Sequence, residues 1–209
     1  PSQFLFGFKD KKDVIKINPV YETVGEFDPG RKYAKAKHNG KWGIISVDGK
    51  WMCEPQFELI GKVFESHFTF RVANKWGLCE MNGKEVAPPK FDEIVSVGTA
   101  VFTVRVDKSF VILDFKMKEI KVGFDKAFSW NDGFSVVVKD HAGGMINEKG
   151  EWLLSPSEDP IYDFSEGLAA FDKDGATGYY DVSGKVAIKP QFEAAFDFSE
   201  GLARVRKED

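Results

Sequence analysis

Six carboxylates recur at one place in this chain: Glu22, Glu58, Asp92, Asp125, Asp163 and Glu193 each follow an aromatic residue. Gathered at one centre by a repeat, such an acidic ring would bind a cation or a basic segment of a partner. The same position also has a structural use. An acid after a strand end accepts hydrogen bonds from the backbone of a neighbouring turn, and every repeat would need that equally. A second candidate set is defined by what breaks the pattern. Trp51 and Trp152 stand where sister units carry Val86 and Val186, and Trp130 stands where a sister carries Phe198. Exposed, these three rings would anchor a peptide or a sugar; buried, they fill wider gaps in a core.

Little else in the sequence is equipped for chemistry. His38, His67 and His141 fall at different positions of the repeat. No His-Glu-x-x-His, Cys-x-x-Cys, phosphate-cradling glycine loop or Gly-x-Ser-x-Gly elbow occurs. Asp172-Lys173-Asp174-Gly175 begins like a calcium loop but lacks the further oxygen ligands, and the repeat explains it as a hairpin turn. The expectation is a non-enzymatic chain with no catalytic residue, no metal and no cofactor.

The elements that must position these residues come from a motif of about 34 residues that recurs along the whole chain. An aromatic-Gly or residue-Gly pair opens each copy: Phe6-Gly7, Trp42-Gly43, Trp76-Gly77, Gly143-Gly144 and Thr177-Gly178, with Ser109-Phe110 as a degenerate copy. A glycine kept at a strand position marks close approach of another backbone or ring. Asp48-Gly49-Lys50, Asn82-Gly83-Lys84 and Ser183-Gly184-Lys185 follow as turns, expected as two-residue hairpin tips. Asn39-Gly40 and Asp174-Gly175 close the hairpin before the aromatic-Gly strand.

Next come Pro-x-aromatic-acid elements such as Pro19-Val20-Tyr21-Glu22, Pro55-Gln56-Phe57-Glu58, Pro160-Ile161-Tyr162-Asp163 and Pro190-Gln191-Phe192-Glu193. Proline donates no ladder hydrogen bond, so this element belongs at a sheet edge. The segment Phe164-Ser165-Glu166-Gly167-Leu168-Ala169 repeats nearly unchanged at Phe198-Ser199-Glu200-Gly201-Leu202-Ala203. The strand after it alternates as if one face were buried and the other solvated.

Composition narrows the classes. Hydrophobic residues make up 43% of the 209, with 20 Phe among them, which suits strands that share a core. The formal charge is -4, with the 29 basic and 33 acidic residues interspersed, so nucleic acid and anionic membrane are not expected partners. No apolar run is long enough to cross a bilayer as a helix, and membrane insertion is not expected. Cys53 and Cys79 read as buried free thiols, which favours a reducing, cytoplasmic setting. Because the chain begins at Pro1, export stays open.

Lys41-Trp42-Gly43, Lys75-Trp76-Gly77, the Pro-Gln-Phe-acid elements and the two Phe-Ser-Glu-Gly-Leu-Ala segments resemble the bacterial WG (KWG) repeat family over about residues 4–206. The resemblance implies an all-β tandem array with an interaction role and carries over no catalytic residues.

The fold expectation is all-β: one array over residues 1–209 in six units, at 4–37, 38–73, 74–106, 107–139, 140–172 and 173–206. The chain opens in an aromatic-Gly strand and ends in the strand that normally precedes one. That complementarity favours a propeller-like closed toroid over an open β-hairpin solenoid. The expected function is protein or peptide binding through the repeat surface. Alternatives are a glycan-binding module using the three Trp, and a hydrolase with channel carboxylates.

Overall fold

The computed structural model describes residues 4–27, 30 and 32–207. These residues form strands β1 to β24, with no helix among the described residues. Five sheets are four-stranded antiparallel meanders in chain order. The first contains β3 (Thr23–Val24), β4 (Tyr33–His38), β5 (Lys41–Ser46) and β6 (Trp51–Phe57). The second contains β7 (Ile60–Val63), β8 (His67–Val72), β9 (Lys75–Glu80) and β10 (Glu85–Phe91). The third contains β11 (Glu93–Val97), β12 (Val101–Val106), β13 (Ser109–Asp114) and β14 (Glu119–Phe124). The fourth contains β15 (Lys126–Ala127), β16 (Phe134–Lys139), β17 (Ala142–Asn147) and β18 (Trp152–Ser157). The fifth contains β19 (Ile161–Ser165), β20 (Leu168–Lys173), β21 (Ala176–Asp181) and β22 (Val186–Phe192).

Two half-sheets flank them, β1 (Phe6–Lys9) with β2 (Ile15–Tyr21), and β23 (Ala194–Ser199) with β24 (Leu202–Arg206). By repeat position the former supplies third and fourth strands and the latter first and second strands. Each sheet runs from one aromatic-acid element to the next, half a repeat out of phase with the units cut from the sequence. The chain divides into two compact units, residues 1–92 and 93–209.

The aromatic-Gly pair and the proline meet within one sheet. Trp42 pairs with Phe57 and Ile44 with Cys53, so Glu54, Pro55 and Gln56 together face Gly43. The same excess faces Gly77 between Ala87 and Phe91, and Gly178 between Ile188 and Phe192. The surplus residues fold over the glycine. A Cβ on Gly43 would lie 2.5 Å from the Cys53 carbonyl oxygen and 2.9 Å from the Pro55 nitrogen, and one on Gly178 would lie 2.6 Å from the Ile188 oxygen and 2.7 Å from the Pro190 nitrogen. Only a residue without a Cβ admits this bulge, and proline suits it because the bulged position has no ladder bond to donate. All of these prolines lie on fourth strands, the edges of their sheets, as the sequence indicated.

The third sheet tests the relation. Val106 pairs with Ser109 and Arg105 with Phe110, so Phe110 takes the tryptophan position and Val111 the glycine position, one residue later than the sequence placed the degenerate pair. With Val111 present the large bulge is gone. Val111 pairs directly with Val122, and the one surplus residue, Gly123, stands at φ 82°. The glycine and the proline are lost together.

The turns also differ from expectation. In the first sheet Ser46 accepts from Gly49 N–H and donates to the Lys50 carbonyl, which closes a loop of Val47, Asp48 and Gly49. The Asp-Gly pairs between third and fourth strands therefore form three-residue loops, in which a type I turn is followed by a left-handed residue. That residue is Gly49, Gly83, Gly150 or Gly184 in four copies and Met117 (φ 67°) in the third sheet. Two-residue loops with both φ positive do occur at Asn39-Gly40 and Asp174-Gly175, as expected, and at Glu166-Gly167 and Glu200-Gly201.

Within each unit the core is shared between consecutive sheets. Ile44, Cys53, Ile60, Phe68, Phe70 and Cys79 join the first and second sheets, and Met145, Ile161, Phe164, Ala169 and Phe171 join the fourth and fifth. Each such large apolar side chain contributes roughly 1.5–3 kcal/mol when fully buried. Second strands accordingly bury both faces: His67 to Phe70 and Val101 to Val104 are each four buried residues in a row. The expectation of one solvated face fails there, since residues on both faces of these strands are buried. Met117 stores strain that glycine would not. Met117→Gly should raise stability by about 1 kcal/mol, read as an increase in urea midpoint, since a left-handed conformation costs a side-chain-bearing residue about 1–2 kcal/mol.

Candidate ligand-binding groove

Five of the six repeat acids lie between the fourth strand of one sheet and the first strand of the next, and each has a local partner. Glu22 accepts from Gly40 N–H at 2.9 Å, and Asp125 from His141 N–H at 3.3 Å. Glu58 pairs with Lys41 at 3.5 Å, Asp92 with Lys75 at 2.5 Å and Glu193 with Arg206 at 2.7 Å. They tie hairpins to strand ends. Asp163 is different, because it lies inside β19. The proline of that repeat is Pro156 on β18, Ser157 takes the aromatic position opposite Gly143, and the acids that follow are Glu158 and Asp159.

Trp130 is buried, at 9% exposure, with its indole N–H donating to Thr103 Oγ1 at 2.9 Å, so it is a core residue and offers no platform. Trp51 and Trp152 are half-buried. Trp51 packs edge-on against Tyr21 and Trp152 edge-on against Phe124. Each ring covers the bulge glycine of its own sheet: a Cβ at Gly43 or at Gly144 would come within 2.8 Å of it. By register the sister of Trp51 is Glu85 rather than Val86. All three tryptophans serve packing. Cys53 and Cys79 are buried free thiols, as expected, and burial pushes the Cys79 thiol up to about 12.

A concave site exists elsewhere. In the second unit, β19, β20 and the turn into β21 face β23 across a groove of about 630 Å³, within the range of ligand sites. Tyr162, Asp172, Thr177, Glu193, Phe196 and Asp197 supply its functional side chains, and Ala170, Gly175, Ala194 and Ala195 supply its small ones. The hollow has a sequence origin. The preceding sheet pairs Ile161 with Phe171; one repeat later the pair is Ala195 with Val205. Loss of that bulk opens space beside β23.

Asp172 is held between two hydroxyls, with Tyr162 Oη donating at 2.7 Å to one oxygen and Thr177 Oγ1 at 2.7 Å to the other. That bond to Asp172 raises the Tyr162 hydroxyl above the usual tyrosine range. Tyr162 and Phe196 are large aromatics at 46% exposure each, and they occupy the same repeat position. The Arg204 guanidinium lies 3.9 Å from the Phe196 ring centre. Behind the groove, Asp163 accepts from Phe164 N–H at 2.8 Å and Ser129 N–H at 3.4 Å. Burial raises its carboxyl above the usual range, and the charge of Asp197 adds to the shift.

Sequence reasoning singled out none of the groove residues for binding except Glu193. The signal that could have found them is the change of Ile161 and Phe171 to Ala195 and Val205 inside an otherwise nearly identical segment.

The chain belongs to the family of WG-containing repeats, whose model matches residues 6–42, 42–76, 76–97, 144–175 and 178–209. The unmatched stretch 98–143 includes the third-sheet strand in which Val111 replaces the glycine. No curated protein matches the chain. Among solved structures it is similar to Hsv2p of Kluyveromyces lactis, at 12% identity over 88% of this chain and 70% of that one, TM-score 0.50. It is also similar to a eukaryotic initiation factor, at 15% identity over 94% of this chain and 63% of that one, TM-score 0.51. At these identities the likeness is one of fold, a succession of antiparallel β-sheets.

Asp163 titrates differently folded and unfolded. Its folded pKa is raised, so the stability from its protonated form is fully present below the ordinary carboxylate value and is lost as pH rises through the folded value. Asp163→Asn removes that loss. Thermal unfolding should show a higher Tm for the variant at neutral pH, and the gain should shrink toward pH ~4, where ordinary carboxylates protonate.

Proposed function

We propose that this chain is a non-enzymatic interaction module that binds a peptide segment of a protein partner in the groove between the fifth sheet and β23. The single observation that carries the reading is the exposure of Tyr162 and Phe196 in a concave site, where rigid aromatic rings make effective anchors. The repeated acids and the tryptophans support it indirectly, since they are engaged in hairpin ties and packing. The test is selection from a displayed random-peptide library, with binding then measured by calorimetry on wild type and on Ala195→Trp, which fills the groove. Selected peptides should lose at least about tenfold in affinity on the filled variant, a change of ~1.4 kcal/mol. Peptides that bind both proteins equally, or oligosaccharides that bind where peptides do not, would contradict it.

A second reading as a hydrolase has one observation in its favour, the proximity of Asp163, with its raised carboxyl, to Asp197. Against it, Asp163 does not line the groove and spends its oxygens on backbone N–H groups.

We further propose that the six repeats close as a propeller-like toroid, the opening half-sheet supplying the strand types that the final half-sheet lacks. Small-angle scattering of the monodisperse chain should give a radius of gyration near the compact expectation of about 17 Å. A clearly larger value with a long tail in the distance distribution would favour the open array.

A further inference from the structure

The charge lining the groove narrows the ligand. Its ionisable carboxylates are Asp172, Glu193 and Asp197, and no cationic side chain lines it. Arg206 offsets Glu193. Asp172 is bound by two neutral hydroxyls, which orient the carboxylate without cancelling its charge. Asp197 is exposed and has no cation within ion-pair distance among the described residues. Two acids therefore remain uncompensated beside two exposed aromatic rings. An aromatic face attracts a cation through its quadrupole, and a carboxylate within reach strengthens the hold. The ring of Phe196 already engages one guanidinium in this way, from Arg204. A bare metal ion fits the site poorly. No group of three metal-ligating side chains converges among the described residues, and the groove is far larger than an ion.

We propose that the groove takes a Lys or Arg side chain of an extended peptide, with Asp172 and Asp197 as counter-charges and Tyr162 and Phe196 as aromatic walls. This rests on the peptide-binding reading and adds the chemical class of the peptide. The small residues Ala170, Gly175, Ala194 and Ala195 leave room for the aliphatic stem, and the acids of the lining meet the charged head.

The experiment is fluorescence polarisation with a labelled peptide that alternates Gly with Lys and Arg, beside a counterpart carrying Gln in place of each cation. Wild-type protein should bind the basic peptide, lose affinity as salt is raised, and prefer it over the Gln peptide by at least about tenfold, the ratio a single charge-assisted hydrogen bond supplies. Asp197→Asn and Asp172→Asn should each weaken the basic peptide at least about fivefold, by removing one of these charge-assisted contacts, while Asp48→Asn, an exposed turn acid of the first unit, should leave it unchanged. Equal binding of the two peptides, with loss of both on Ala195→Trp, overturns the cationic preference and leaves the peptide-binding reading standing. No binding of either peptide, or binding indifferent to both acid variants, overturns the proposal. If library selection also yields no groove-dependent peptide, the broader reading falls with it.

Discussion

The close approach of a bulged fourth strand to a glycine on the third strand is the constraint on which the rest of each sheet depends. The surplus residues pull the proline backbone over the glycine, where a Cβ would meet carbonyl oxygen and ring nitrogen at under 3 Å in the first and fifth sheets. Because the glycine has no side chain, an aromatic from elsewhere in the sheet can lie over it, as Trp51 does over Gly43 and Phe70 over Gly77. The bulge also ends the sheet. Proline on the edge strand withholds a donor, and the chain leaves through the acid for the next sheet. The acid then ties that exit to a hairpin, as Glu22 does with Gly40 and Asp92 with Lys75.

Much of this was legible in the sequence because it repeats. The all-β class, the period, the edge position of the prolines, the buried thiols and the left-handed glycines all follow from residue types at fixed spacing. The errors arose where one copy departs from the others by a residue. Val111 is missed as the occupant of the glycine position because its bulge is shorter, so counting back from Phe124 at the spacing of the other copies reaches Phe110 instead. Asp163 was grouped with the repeat acids because Pro160 imitates Pro156, and only the pairing of Gly143 with Ser157 resolves the two. The alternation expected of second strands fails where both faces of a strand are buried, as in β8 and β12.

The candidate site was less legible than the fold, and the reason is physical. Positions shared by all repeats are consumed by the requirements of the sheet, so a binding site must be built from positions where symmetry is broken. The three tryptophans break it and are absorbed by packing. The two substitutions that open the groove, Ala195 for Ile161 and Val205 for Phe171, are losses of bulk, which leave no conspicuous residue behind. What they uncover is Tyr162 and Phe196, a pair equivalent by repeat and both exposed. A volume deficit next to exposed rings and uncompensated acids is a three-dimensional signature, and single-residue inspection does not register it.

The most direct test of the account is a double-mutant cycle between Gly178 and Pro190, measured by urea unfolding. Gly178→Ala introduces the Cβ that meets Pro190, and Pro190→Ala relaxes the bulge that brings the two together. The account requires strong coupling. The glycine substitution should cost at least about 1 kcal/mol less in the relaxed background than in the native one, well beyond the ~0.5 kcal/mol within which independent sites add. Strict additivity would mean that the glycine and the bulge are separate features and that the sheet does not depend on their contact.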